Sequence, residues 1–231
     1  VQCSLLTAPN NGGMNGGNNY QDVVTFSCNL GYEIVGSSSV TCQADATWSN
    51  NVPTCTRVQC PALQSPTNGG SSGSNYYQDV MSFTCDSGYE LDGSATITCQ
   101  ADRTWTDSAP SCPRVQCPAL QSPTNGGSSG SNYYQDVMSF TCDSGYELDG
   151  SATITCQADR TWSDSAPRCP RVQCPVLSSP VNGISSGSNF YQDVVTSTCD
   201  LGYNLAGDSS STCQADQTWS SNTPSCNGRI Q

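Results

Sequence analysis

The stretch YQDVMSFTCDSGYELDGSATITC, residues 77–99, decides how this chain folds. From Asp79 its residues alternate, with Met81, Phe83 and Cys85 on one side and Val80, Ser82 and Thr84 on the other, the pattern of a half-buried strand. Gly88 permits a turn, and Tyr89 with Leu91 begins a second short strand. Asp92–Gly93 is a turn signal, and a third strand follows with Ala95, Ile97 and Cys99 on one face. Upstream, Pro61 to Pro66 reads as extended chain, and the Gly/Ser/Asn run from Asn68 to Asn75 as a flexible loop. Downstream, Trp105 and Pro110 precede Cys112, and no window carries a helical period.

The same stretch returns every 57 residues. Cys3, Cys28, Cys42 and Cys55 recur as Cys60, Cys85, Cys99 and Cys112, then as Cys117, Cys142, Cys156 and Cys169, then as Cys174, Cys199, Cys213 and Cys226. A fixed period of this size specifies a linear array of similar units, each contacting its neighbours. The boundaries fall at 1–57, 58–114, 115–171 and 172–231. So short a unit, in a chain only 35% hydrophobic, needs staples to hold a core. Four cysteines per unit predict two disulfides and an oxidising compartment, each bridge contributing about 3–4 kcal/mol in the chain-entropy model. Zinc is the competing reading, and it lacks both histidine and any CxxC pair. Spacing alone leaves three pairings open in each unit.

The order Cys, Tyr77, Val80 or Met81, Phe83, Cys85, Gly88, Tyr89, Leu91, Gly93, Ile97, Cys99, Trp105, Pro110, Cys112 resembles the sushi domain, also called the complement control protein module, over essentially the whole chain. The resemblance implies an all-β protein of four tandem, disulfide-stapled antiparallel modules in an elongated rod. It also implies bridges from first to third and second to fourth cysteine: Cys3–Cys42, Cys28–Cys55, Cys60–Cys99, Cys85–Cys112, Cys117–Cys156, Cys142–Cys169, Cys174–Cys213 and Cys199–Cys226.

Three departures from the family pattern stand out. Ala46, Arg103, Arg160 and Gln217 occupy the place before Thr-Trp where the family often has glycine, and Asp22, Asp79, Asp136 and Asp193 replace a glycine before the first long strand. Both changes are tolerable where φ stays negative. In module 4, Ser197 stands where the others have Phe26, Phe83 and Phe140, and Ser211 where they have Val40, Ile97 and Ile154. Losing two buried apolar side chains costs several kcal/mol, so module 4 is expected to be the least stable, with Ile184 refilling part of the space.

Four residues separate successive modules: Thr56 to Gln59, Pro113 to Gln116 and Pro170 to Gln173. Such short, similar linkers leave little independent swing and predict the same rotation at each junction. Val58, Val115 and Val172 are expected to pack there, and Arg57, Arg114 and Arg171 to pair with a neighbouring acid. Val1-Gln2-Cys3 repeats the internal junctions and Arg229-Ile230-Gln231 resembles them, an expectation that the array continues in both directions.

The charge balance narrows function. Nineteen Asp and Glu against seven cationic residues, with no histidine, give a net charge of −12. Nucleic acid, polyanions and anionic membranes are poor partners for that surface, and no apolar run is long enough to span a bilayer. Without His or Lys the common nucleophile–base pairs are unavailable, so no catalytic residue, metal ligand or cofactor is assigned. The recurring carboxylates read as a solvated acidic face, and nothing matches an EF-hand loop. Asn-x-Ser/Thr sequons are absent, while Ser and Thr near Pro leave O-glycosylation open.

Tyr76, Tyr133 and Phe190, at the edge of Gly/Ser/Asn loops, are candidate contacts, with the second aromatic of each pair assigned to the core. Arg103 and Arg160, at matching sites in modules 2 and 3, are the other candidates. The expected function is non-enzymatic: an extracellular array, secreted or part of an ectodomain, for multivalent recognition or adhesion. Its partners are an extracellular protein or glycan, or other copies of the same rod through self-association. A structural rod or filament subunit of the extracellular matrix is the alternative, and a complement regulator the second. Regulators usually need modules that differ. From Arg57 to Pro113 against Arg114 to Pro170 the only changes are Thr106/Ser163 and Ser111/Arg168, which favours adhesion or structure.

Overall fold

The computed structural model describes residues 1–228, so the Arg229-Ile230-Gln231 expectation lies outside the described residues. All regular structure among them is β. Module 1 contains β1 (Gly12–Asn15), β2 (Val23–Cys28), β3 (Tyr32–Val35), β4 (Ser39–Thr41) and β5 (Thr54–Arg57). Module 2 contains β6 (Gly69–Ser72), β7 (Val80–Cys85) and β8 (Thr96–Thr98), and module 3 contains β9 (Gly126–Ser129), β10 (Val137–Cys142) and β11 (Thr153–Thr155). Module 4 contains β12 (Gly183–Ser186), β13 (Val194–Cys199), β14 (Tyr203–Ala206), β15 (Ser210–Thr212) and β16 (Ser225–Gly228). Two compact units divide the chain, Val1–Arg114 and Val115–Gln231.

Every module is built on a three-stranded antiparallel sheet with its longest strand in the middle, as in β6–β7–β8. That strand alternates as its sequence demands: in β7, Met81 and Phe83 are buried and pack with Ile97 of β8, and Leu63, Leu91 and Trp105 close over them. Modules 1 and 3 repeat the cluster with Val24, Phe26 and Val40, and with Met138, Phe140 and Ile154. The tryptophan also ties down each opening segment. Its Nε1 donates to the carbonyl of Ser4, Pro61, Pro118 or Pro175 at 2.7–3.0 Å.

In all four modules the first cysteine is bonded to the third and the second to the fourth: Cys3–Cys42 and Cys28–Cys55, then Cys60–Cys99 and Cys85–Cys112, Cys117–Cys156 and Cys142–Cys169, Cys174–Cys213 and Cys199–Cys226. The second bridge explains one difference from the sequence reading. Residues 68–75 are not a loop throughout: Gly69 to Ser72 form β6, paired with Ser82 to Cys85. Gly69 passes so close over the bridge that a Cβ there would lie 2.8 Å from Cys112 Sγ and 2.3 Å from the Thr84 carbonyl oxygen. Glycine is required here by contact, not by flexibility.

The expected strand at Tyr89 and Leu91 also differs between copies. Modules 1 and 4 form it, as β3 against β5 and β14 against β16. Modules 2 and 3 keep only isolated bridges, Tyr89 to Arg114 and Asp92 to Ser111, then Tyr146 to Arg171 and Asp149 to Arg168. Pro113 and Pro170 stand where modules 1 and 4 have Thr56 and Asn227. A proline accepts a bond, here from the Glu90 and Glu147 amides at 3.1 Å, and has no N–H to return it.

Two further expectations are corrected. Ala46, Arg103, Arg160 and Gln217 do not keep φ negative: they sit at 63°, 68°, 67° and 65°, in the left-handed region that favours glycine. Each turn is closed by the residue on either side. Asp102 accepts from the Thr104 hydroxyl at 2.6 Å and from its amide at 3.0 Å, and the Arg103 amide donates to the Gln100 carbonyl at 3.2 Å. Ile184 does not refill the module 4 core, being 62% exposed on the outer face of β12. Ser197 and Ser211 are buried and hydrogen-bonded instead. Ser197 pairs with the Ser185 hydroxyl at 2.8 Å, while the Ser211 hydroxyl donates to the Ser221 carbonyl at 2.9 Å and accepts from its amide at 3.0 Å.

Candidate functional site: the module junction

The linker is a structural element of both modules it joins. Val58 is buried, its amide donates to Gly31 O of module 1 at 2.8 Å, and its carbonyl accepts from the Tyr77 amide of module 2 at 2.8 Å. Arg57, one residue earlier, is the last residue of β5 and pairs with Tyr32 in register. The second of the paired aromatics therefore belongs to the junction and not to the core. The Tyr77 ring covers Gly31, which sits at φ 80°, and meets Tyr32 edge to face at 6.5 Å. Edge-to-face geometry is the favourable one for the ring quadrupoles.

Modules 3 and 4 meet in the same way. Val172 is buried, its amide donating to Gly145 O and its carbonyl accepting from the Tyr191 amide, both at 2.9 Å. Tyr191 covers Gly145, at φ 89°, and meets Tyr146 edge to face at 5.8 Å. Val115 is buried too, and its carbonyl accepts from the Tyr134 amide at 2.9 Å.

Arg57 and Arg171 close the outer side of the joints between modules 1 and 2 and between modules 3 and 4. Arg57 Nη1 lies 2.7 Å from Asp79 Oδ1 and 3.3 Å from the Tyr77 carbonyl, and its guanidinium sits 5.1 Å from the Tyr76 ring centre. Arg171 repeats this with Asp193 at 2.6 Å, the Tyr191 carbonyl at 2.9 Å and the Phe190 ring at 5.5 Å. Replacing tyrosine by phenylalanine keeps the cation–π contact, which needs only the ring face. The Asp79 carboxyl is held below its ordinary range, first by the hydrogen bond from the Ser74 hydroxyl and then by Arg57; Asp193 is lowered in the same way by Ser188 and Arg171. Asp79 thus holds its loop through Ser74 and the joint through Arg57.

Of the candidate contacts, Tyr76, Tyr133 and Phe190 present themselves almost equally, at 40%, 42% and 40% exposure. Beside Tyr76, Gln59 Nε2 donates to Asn75 Oδ1 at 3.2 Å, and Asn75 Nδ2 donates to the Cys60 carbonyl at 2.7 Å. Arg103 is engaged within the first unit, reaching back across the junction to an ion pair with Glu33 of module 1. In module 4 its place is taken by Gln217, which brings no charge to Glu147 of module 3. Arg160 also makes an interaction of its own. Sequence reasoning missed the glycine sockets, although the recurring Gly-Tyr pairs at 31, 88, 145 and 202 carry the signal.

Among the described residues no cluster of three His, Cys, Asp or Glu side chains is arranged to hold a metal, and no helix is long and apolar enough to cross a membrane. The shifted carboxylates lie in turns and junctions and all shift downward, as hydrogen bonds from neighbouring hydroxyls and amides dictate. Such groups anchor loops and are poorly suited to proton transfer near neutral pH.

The family model of the Sushi repeat (SCR repeat) matches residues 3–55, 60–112, 117–169 and 174–226. E-selectin of Sus scrofa is 34% identical over 242 aligned residues, covering 98% of this chain and 50% of that protein. The rat sushi, von Willebrand factor type A, EGF and pentraxin domain-containing protein 1 is 35% identical over 206 residues, covering 88% of this chain and 6% of that protein. Human E-selectin is 30% identical, with 98% and 41% covered. The chain therefore spans half or less of the length of these relatives.

Proposed function

The chain belongs to the Sushi repeat family, and on that premise we infer that it is a recognition or adhesion segment of an extracellular protein, working through repeated weak contacts. The observation that carries this reading is repetition of the exposed surface itself. Modules 2 and 3 differ at two positions in 57, so any face presented by one is presented again by the next. Tyr76, Tyr133 and Phe190 recur at the same depth beside the junctions, each suited to a small contact with a protein or glycan. Linked weak sites gain affinity from effective concentration without any new contact, by factors of about 10²–10⁴. Eight disulfides support an extracellular or ectodomain setting. Similarity to a selectin and to a large multidomain sushi protein supports the same setting.

The test is density dependence. Beads coated with the full chain at high and low density are compared for retention on extracellular matrix and on cell surfaces. Retention should fall far more steeply than the coat density. Retention proportional to density would mean one strong site per chain and would overturn the reading.

A structural reading has its own support, because the linkers at Val58 and Val172 are each bonded to both of the modules they join. Negative-stain imaging of the native material decides between the two: ordered filaments favour structure, dispersed molecules favour recognition.

A further inference from the structure

Three modules carry the same concavity at the same place, between the turn that precedes the first strand and the run that ends in the fourth cysteine. In module 2 it lies between Pro66–Asn68 and Pro110–Pro113, is open to solvent and has a volume of about 380 Å³; in module 3 the volume is about 410 Å³ and in module 1 about 340 Å³. Volumes of this order suit a short side chain or peptide segment.

The main chain at its floor is unspent. Asp92 and Ser111 exchange both N–H···O bonds, at 2.9 and 3.0 Å, and the Glu90 amide donates to Pro113 O. Alternation along an antiparallel pair then turns the intervening Cys112 N–H and C=O to the opposite side, toward the concavity it lines. Among the described residues neither group has a protein hydrogen-bond partner. Cys169 repeats the arrangement: Asp149 and Arg168 exchange bonds at 2.9 Å, the Glu147 amide takes Pro170 O, and Cys169 faces the larger concavity. An unpaired strand edge is a ready place for one more extended segment to pair. Pro110 and Pro167, the preceding residues on the same edge, have no N–H, so the edge cannot template a long sheet.

A second, independent observation concerns the two differences between modules 2 and 3. Thr106/Ser163 is silent, since either hydroxyl accepts the same bond, from Thr98 N at 3.0 Å or Thr155 N at 2.9 Å. Ser111/Arg168 falls in the lining of the concavity, next to the unpaired cysteine. Its main chain is held identically in both copies, so the exchange changes only the group presented to a ligand. Among the described residues no carboxylate closes an ion pair with Arg168. In a chain of net charge −12 this is a cation placed beside unpaired main chain.

We propose that the concavities of modules 2 and 3 are docking grooves for an extended polypeptide segment of a partner protein. One residue of that segment pairs its main chain with Cys112 or Cys169, and Arg168 selects a carboxylate side chain at the module 3 groove. The proposal rests on the recognition reading and gives it a ligand class: the two grooves accept similar backbones and differ in the charge they prefer.

The experiment titrates the ¹⁵N-labelled full chain with blocked pentapeptides of sequence Val-Thr-Xaa-Thr-Val, where Xaa is Glu, Gln or Lys. The Cys112 and Cys169 amides should shift with the Glu and Gln peptides. At Cys169 the Glu peptide should half-saturate at about fivefold lower concentration than the Gln peptide, the ratio of an exposed ion pair. Arg168→Ser should erase that preference, and Ser111→Arg should install it at Cys112. Each variant places the residue that the sister module already carries at that position, so folding is not in question. Cysteine amides unmoved at millimolar peptide, or a Glu preference that survives Arg168→Ser, would overturn the proposal. Should the grooves fail while densely coated beads still adhere, the groove is excluded and recognition falls to the aromatic faces at the junctions.

Discussion

Tyr77 of module 2 rests on Gly31 of module 1 so closely that a Cβ on that glycine would stand 2.0 Å from the ring. The contact joins a residue from a loop of one module to a left-handed turn of another, and the Val58 main chain is strung between them. Gly31→Ala should therefore act on the joint and spare the cores. The ring must leave, and alanine at φ 80° adds strain of about 1–2 kcal/mol. Hydrogen exchange of the Val58 and Tyr77 amides should accelerate at least tenfold, with the Ile97 amide unchanged. Equal acceleration at all three would refute a junction-specific role.

The left-handed turn before each Thr-Trp offers a stabilising change. Ala46 pays about 1–2 kcal/mol for φ 63°, while glycine costs roughly 0.4–1 kcal/mol through the unfolded chain, so Ala46→Gly should gain about 0.5–1 kcal/mol. Arg103→Gly relieves the same strain and loses the ion pair to Glu33, worth roughly 0.2–1 kcal/mol, so its net effect should be near zero. Urea unfolding with the disulfides intact checks both. A destabilised Ala46→Gly would sink the argument from strain.

Module 4 should be the least protected copy in native hydrogen exchange, because Ser197 and Ser211 fill its core where the others bury Phe and Val or Ile. Those serines are nevertheless integrated. Ser211→Ala removes the acceptor of the Ser221 amide and should cost about 1–2 kcal/mol despite being the more apolar residue. A neutral or stabilising Ser211→Ala, or protection equal to that of modules 2 and 3, would contradict this account.

Acid should loosen the joints. A carboxyl held below its ordinary value in the folded state contributes stability fully above the unfolded value, near 3.8, and loses it as pH falls through the lower native value. The Asp79 and Asp193 contributions are thus intact at pH 5 and disappear below the ordinary carboxylate range. Carbon-13 titration of the Asp79 carboxyl should show the depressed value. Ser74→Ala should raise it more than Arg57→Gln, the hydroxyl being the larger cause. An ordinary titration unaffected by Ser74→Ala would rule this out.

Much of the architecture was legible in residues 77–99. Alternation of Met81 and Phe83 specified the central strand, and the cysteine period specified the array. What escaped had physical causes that pattern reading does not see. The run at Gly69 looked like a loop because glycine usually signals freedom, whereas here it signals a strand crossing a disulfide. Pro113 and Pro170 reduced a strand to bridges in two copies of four. The positive φ at Arg103 was hidden by a side chain that rarely adopts it. Of the site, the linker valines and arginines were recognisable from repetition; the socket at Gly31 was not, because its partner Tyr77 comes from the next module.

Val58 bonds backward to Gly31 and forward to Tyr77, and this bears on how such a chain lengthens. A segment copied from one linker valine to the next carries the socket of one joint and the ring of another. Insert that copy in phase and both of its ends find complementary partners already shaped. Insert or delete a single residue between Cys55 and Cys60 and neither does. The array is thus able to grow by duplication without inventing an interface, provided that it grows in whole periods.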